Sequence, residues 1–99
     1  MNMQELRRLI DLIDARLSAV PDADWRDNGA WRAARQAEAQ ILIDLRDSEG
    51  ATFKDSGLGV TLKLAGIRTT CTAGAAGVLR NWQAAAWRNI EQARVSDGV

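Results

Sequence analysis

The chain has no histidine and no tyrosine, and only one cysteine and one proline in 99 residues. Without histidine it lacks the side chain that most often serves as a general base near neutral pH and most often ligates a metal. A single cysteine excludes a disulfide framework and a cysteine-cluster zinc site. An excess of one charge is also missing. Thirteen Lys+Arg balance thirteen Asp+Glu, so there is no overall basic field of the kind most nucleic-acid binders carry. No apolar run approaches the ~18 residues of a membrane span. The opening stretch, MNMQELRRLIDLID, reads as a charged helix and not as a signal peptide. The expectation is a small soluble domain of the cytoplasm, with no cofactor, no metal and no membrane partner.

What is present reads as globular. Hydrophobic residues make up 46% of the chain and charged ones 26%. A chain of this length should form one domain, residues 1–99, burying roughly 65% of its unfolded surface. Residues 2–18 carry Met3, Leu6, Leu9, Ile10, Ile13 and Leu17 at helical spacing, with Arg7, Arg8, Asp11 and Asp14 elsewhere around the axis. Asn2 is the expected N-cap, Glu5 its loose capping-box partner, and Leu12 lies off the stripe, where it is expected to be exposed. Pro21 closes this helix, and an acidic, turn-rich segment through Gly29 leads into a second helix over about 30–47. Its apolar face is Trp31, Ala34, Ile41, Leu42 and Leu45, with Glu38 inside that face by angle.

At Gly50 the period changes from 3.6 to 2. Ala51–Lys54, a turn through Asp55–Gly59, and Val60–Leu64 with its alternation of apolar and polar residues predict a two-stranded hairpin covered on one face. A hairpin alone is marginal in water, so it must pack on the helices. A last helix runs to about Arg94, capped by Thr70 or Thr72, with Ala75, Val78, Leu79, Trp82, Ala86, Ile90 and Ala93 turned inward and Val95–Val99 as a frayed tail. The predicted fold class is α+β: an N-terminal helical hairpin, a two-stranded antiparallel β-hairpin, and a C-terminal helix packed across them.

Charge is uneven along the chain. Through Gly50 there are ten acids and seven bases, and from Ala51 three acids and six bases, so the halves carry −3 and +3. Internal complementarity between the halves is the expected use of that asymmetry. The glycines of Ala73-Gly74-Ala75-Ala76-Gly77 lack the Gly-Lys-Ser/Thr ending of a phosphate loop, so close packing of the helix start is the reading. Arg68-Thr69-Thr70-Cys71-Thr72 sits where free helix amides can hold an anion or lower a thiol pKa, but a cysteine nucleophile has no histidine base here. Glu38 in an apolar face calls for a cationic partner, an arginine of the last helix being one option, and no second carboxylate is placed for acid–base work. No enzymatic activity is expected.

The tryptophans say more. Trp31 and Trp82 sit on inward stripes and should be core, whereas Trp25 lies in the acidic loop. Trp87 is rotated about 110° from the apolar centre of the last helix, with Arg80, Gln83, Glu91 and Arg94 as its neighbours by helical geometry. Two readings stay open for it: a cover over the hairpin or the first helix, or an interface anchor of the Trp-and-Arg kind enriched at hot spots.

The stretch from Leu64 to Gly74, followed by Leu79-Arg80-Asn81-Trp82-Gln83-Ala84-Ala85-Ala86, resembles small accessory proteins of transposable (Mu-like) phages and prophages. The similarity covers about a quarter of the chain and extends weakly to residues 25–32. It implies a phage product in the bacterial cytoplasm, of a kind that often binds a host machine stoichiometrically, defence systems included. The helix–hairpin–helix order also resembles phage head-completion proteins, a structural role from which the extra N-terminal helix departs. The expected function is non-catalytic binding of a host or phage protein through the last helix and the hairpin. In that reading Trp87 is the anchor, Arg80 and Arg94 make charge-assisted contacts, and Gln83 is a polar contact, with Glu91 beside them. Self-association as a homodimer is a natural companion. The alternative is a small nucleic-acid-binding regulator using the basic C-terminal half and Arg68, Arg80, Arg88 and Arg94.

Overall fold

The computed structural model of the protein describes residues 3–24 and 26–97, with side chains through Arg94. Its elements are α1 (Met3–Ser18), α2 (Asn28–Glu49), β1 (Thr52–Asp55), β2 (Val60–Leu64), β3 (Ile67–Cys71) and α3 (Ala75–Asp97). The α+β class and the element order match expectation, but the sheet has three strands, not two, in the order β1-β2-β3 and antiparallel throughout. The third strand follows from a two-residue reversal. Ala65 and Gly66 both have positive φ, 52° and 78°, which is the handedness that returns a strand onto its neighbour with the sheet's own twist. Ile67–Cys71 then pairs along β2 from Leu64↔Ile67 to Val60↔Cys71. Threonines and an isoleucine favour a strand as readily as hydroxyls favour a cap. Neither Thr70 nor Thr72 therefore caps α3. That place belongs to Gly74, at φ 95°, whose carbonyl receives the Val78 N–H.

The first helix buries the expected stripe, Leu6, Leu9, Ile10, Ile13 and Leu17, while Leu12 is half-buried against the core and so not free as expected. Helix α2 begins two residues earlier than expected, because the Asp27 carboxylate accepts from the Ala30 N–H and makes Asp27 the N-cap. It ends as expected at Gly50, whose φ of 72° lets the chain turn out of the helix. Helices α1 and α2 run antiparallel, stapled by Arg8 to Glu49 and Arg16 to Asp44. Since α2 has 22 residues against 16 in α1, it is longer by about 9 Å, and its first six residues, Asn28–Ala33, are all exposed. The molecule measures 52 × 25 × 23 Å.

The core is the space between one sheet face and the three helices. Val60, Leu62 and Leu64 point into it from β2, and Val78, Leu79, Trp82, Ala86 and Ile90 meet them from α3. The expected stripe of α3 is thus confirmed, with Ala75 and Ala93 half-buried at its ends. The helix continues through Asp97, past the expected frayed end. Asn2, Trp25, Gly98 and Val99 lie outside the described residues, so the cap assigned to Asn2 and the place of Trp25 do too. Glu5 turns its carboxylate to Arg8 on the next turn.

Charge pairing differs from expectation. Among the described residues only Arg80–Asp14 joins the acidic half to the basic half; the other ion pairs lie within residues 5–49. No described helix is long and apolar enough to cross a membrane.

Candidate protein-binding face

The residues expected to meet a partner come from the outward side of α3, and the structure separates them into two groups. Trp87 is exposed, at 45%, and lies outside the hydrophobic core. Glu91 and Arg94, one and two turns further on, are exposed beside it. Trp87 thus takes the surface place of the two left open by the sequence. Ala84 and Arg88 complete this exposed surface, so the indole stands over short or flexible neighbours.

Gln83 and Arg80 belong to the fold as well as to this side of the helix. Gln83 is 7% exposed, which overturns its reading as a surface contact. Its Nε2 donates to the Ile10 carbonyl at 2.9 Å, and its Oε1 accepts from Arg80 Nη1 at 3.0 Å. The cause is the approach of α1 along the shoulder of α3, which closes over a position that helix geometry alone puts at the polar edge. Arg80 Nη1 also donates to Asp14 at 2.8 Å, so this guanidinium is committed to α1 although half of it remains in water.

Trp82 is fully buried, as expected, and its indole N–H donates to the Leu64 carbonyl at 3.0 Å. Asn81 donates to the Thr70 carbonyl at 3.0 Å. The Asn81-Trp82 pair therefore clips α3 onto β2 and β3, which is a structural task. Trp31 contradicts expectation. It is 42% exposed, on the stretch Asn28–Ala33 of α2 that is exposed throughout, and Arg35 lies over its ring at 5.5 Å. The third large apolar side chain in water is Leu58, at 86%, on the tip of the β1–β2 turn.

Glu38 is buried to 7% exposure and is paired, but with Arg35 of its own helix at 3.0 Å and not with α3. It lines a groove of about 280 Å³ with Arg35, Leu42, Phe53, Val60 and Gly74. Cys71 is half-buried at the end of β3, its Sγ accepting from the Ala73 N–H. Gly77 does pack closely, as expected of that glycine: a Cβ there would stand 2.6 Å from Cys71 Sγ. Gly74 has open space where a Cβ would go, so its role is its φ alone. Among the described residues no group of three or more His, Cys, Asp or Glu side chains is placed to hold a metal.

Comparison of the chain with protein-family models, curated proteins and solved structures gives no match.

Proposed function

We propose that the chain is a non-catalytic binding protein whose contact surface is the outward side of α3, anchored by Trp87. The observation that carries this reading is the exposure of that indole outside the core, between Arg80 on one side along α3 and the exposed Glu91 and Arg94 on the other. A tryptophan presents a large rigid apolar area at little entropic cost, and the 45% of Trp87 still exposed leaves roughly 100 Å² for a partner to remove from water. Arginine and glutamate around it suit a polar rim. Leu58, on the hairpin tip, adds a second apolar contact for a partner large enough to reach it. The phage-like residues 64–74 and 79–86 support a setting in the cytoplasm of an infected bacterium, with a host or phage protein as partner and modulation or inhibition as the effect. The same side of α3 is available for a two-fold contact between copies.

The test is capture from nuclease-treated bacterial lysate by the tagged chain, compared with Trp87→Ala and with Ala84→Ser on the same surface, beside light scattering of the purified chain. The expected result is a stoichiometric protein, or a dimer, lost with Trp87→Ala and kept with Ala84→Ser. A loss of about 2–4 kcal/mol, on the order of 30- to 1000-fold in affinity, is the range for a central anchor. Full binding by a normally folded Trp87→Ala variant would remove Trp87 from the site.

A further inference from the structure

The helices cover one face of the sheet and leave the other open. Six side chains stand on the open face: Thr52 and Lys54 from β1, Thr61 and Lys63 from β2, Arg68 and Thr70 from β3. All are exposed except Thr61, which is half-buried, and none is acidic. Phe53, Leu62 and Thr69 alternate with them and turn to the helix side, where Thr69 donates to the Val78 carbonyl.

The three cations are close together. Lys63 and Arg68 are direct cross-strand partners, and Lys54, opposite Thr61, is one diagonal from Lys63. Direct partners stand about 5 Å apart at Cβ and diagonal ones about 7–8 Å, and like charges directly opposite destabilise a sheet. Arg8, Arg16, Arg35, Arg46 and Arg80 each hold a carboxylate, whereas Arg7, Arg32, Arg88 and Arg94 stand singly on helix surfaces with no ion pair among the described residues. Lys54, Lys63 and Arg68 are in no ion pair among the described residues. Between them lies a shallow depression of about 450 Å³, lined also by Thr52, Phe53 and Thr61.

Lysine, arginine and threonine hydroxyls are the side chains that contact phosphate oxygens. Phe53 borders the depression but alternates to the helix side, where Arg46 lies over its ring, so the open face offers no stacking platform for unstacked bases and suits a backbone whose bases are already paired. We propose that the open face of the sheet docks the phosphate backbone of a nucleic-acid duplex, without reading its sequence. This face is made of strand residues and shares none with the Trp87 surface of α3. The two surfaces therefore fail or succeed separately.

The probe is a fluorescein-labelled 16-base-pair DNA duplex, titrated with the full chain from 50 to 200 mM salt and followed by anisotropy. Three phosphate contacts give a slope of log K against log salt of about −2.7. Lys63→Glu is expected to weaken binding at least tenfold at 50 mM salt. It should leave the fold intact, since it places a carboxylate opposite Arg68. Arg88→Glu, on α3, should change binding less than twofold. No binding at 50 mM salt, wild-type binding by Lys63→Glu, tighter binding of the single strand, or equal binding of a poly-glutamate peptide of matched charge would each overturn the proposal.

Discussion

The side-chain amide of Gln83 donates to the backbone carbonyl of Ile10 at 2.9 Å, tying the middle of α3 to the middle of α1 across 73 residues of sequence. The Ile10 carbonyl has its own helix to satisfy it, so removing the amide orphans no buried backbone group. Gln83→Leu is expected to cost about 1 kcal/mol, the net worth of one hydrogen bond, which lowers Tm by about 4–8 °C in a chain of this size. Thermal unfolding measures it. If Gln83 were instead a partner contact, Gln83→Leu would leave Tm unchanged and weaken binding.

Trp82 and Trp31 are both tryptophans on inward-facing positions of the helical pattern, yet they should respond to truncation in opposite ways. Trp82 is fully buried and hydrogen-bonded to Leu64, so Trp82→Ala should cost about 3–5 kcal/mol. That is a large share of the 5–15 kcal/mol that holds a typical domain together. Trp31→Ala removes an exposed ring beneath Arg35, for which under ~1 kcal/mol is expected. Urea unfolding of the two variants decides the matter. Comparable losses would mean that Trp31 is covered in solution.

The acid limb of stability should run through Asp44. The Gln40 amide and then the Arg16 guanidinium hold its carboxyl below the ordinary value of 3.8, and Arg8 does the same for Glu5. A depressed folded-state pKa contributes stability that is complete above the unfolded value and disappears as pH falls through the folded one. The loss therefore begins near pH 4 and deepens below it. Asp44→Asn has no proton to gain, so its stability should fall less between pH 5 and pH 3 than that of the wild type. Equal falls in urea-unfolding experiments at those two pH values would show that this carboxylate carries none of the acid sensitivity. The contribution is modest, because both carboxylates are in solvent and screened by it.

Where local pattern and long-range packing agree, the elements were legible in advance. The stripes of α1 and α3, the Gly50 stop and the alternation of Val60, Leu62 and Leu64 all place the same residues inside that the structure buries. The misread places are those settled by what stands opposite. Ile67–Cys71 carries residues that suit a strand or a cap, and the reversal at Ala65-Gly66 decides for the strand. Trp31 has the right angle for the core, but it lies on the stretch Asn28–Ala33 of α2 that is exposed throughout. Gln83 has the angle of an edge residue and is closed over by α1, which no feature within α3 announces. The basic face of the sheet was half hidden for the same reason: Lys54 and Lys63 share a face of the expected hairpin, but Arg68 joins them only once the third strand pairs.

Gly77 and Cys71 offer the sharpest test of how β3 meets α3. On propensity alone, Gly77→Ala should stabilise a helix by up to about 1 kcal/mol. The added Cβ would, however, stand 2.6 Å from Cys71 Sγ and 3.1 Å from Ala73 Cβ. The thiol is one bond from its own Cβ and can leave only by a rotamer change at half-buried Cys71, which would also break its contact with the Ala73 N–H. Gly77→Ala is therefore expected to destabilise by about 1–3 kcal/mol, the range for forcing atoms into a packed site. Cys71→Ala removes the sulfur while keeping Cβ, which would be 3.6 Å from the new methyl. The double variant should recover most of the loss, giving a coupling energy of at least about 1 kcal/mol in a double-mutant cycle. Additive effects would mean that the sulfur and Gly77 are not in contact in solution, and that α3 starts further from β3 than this packing requires.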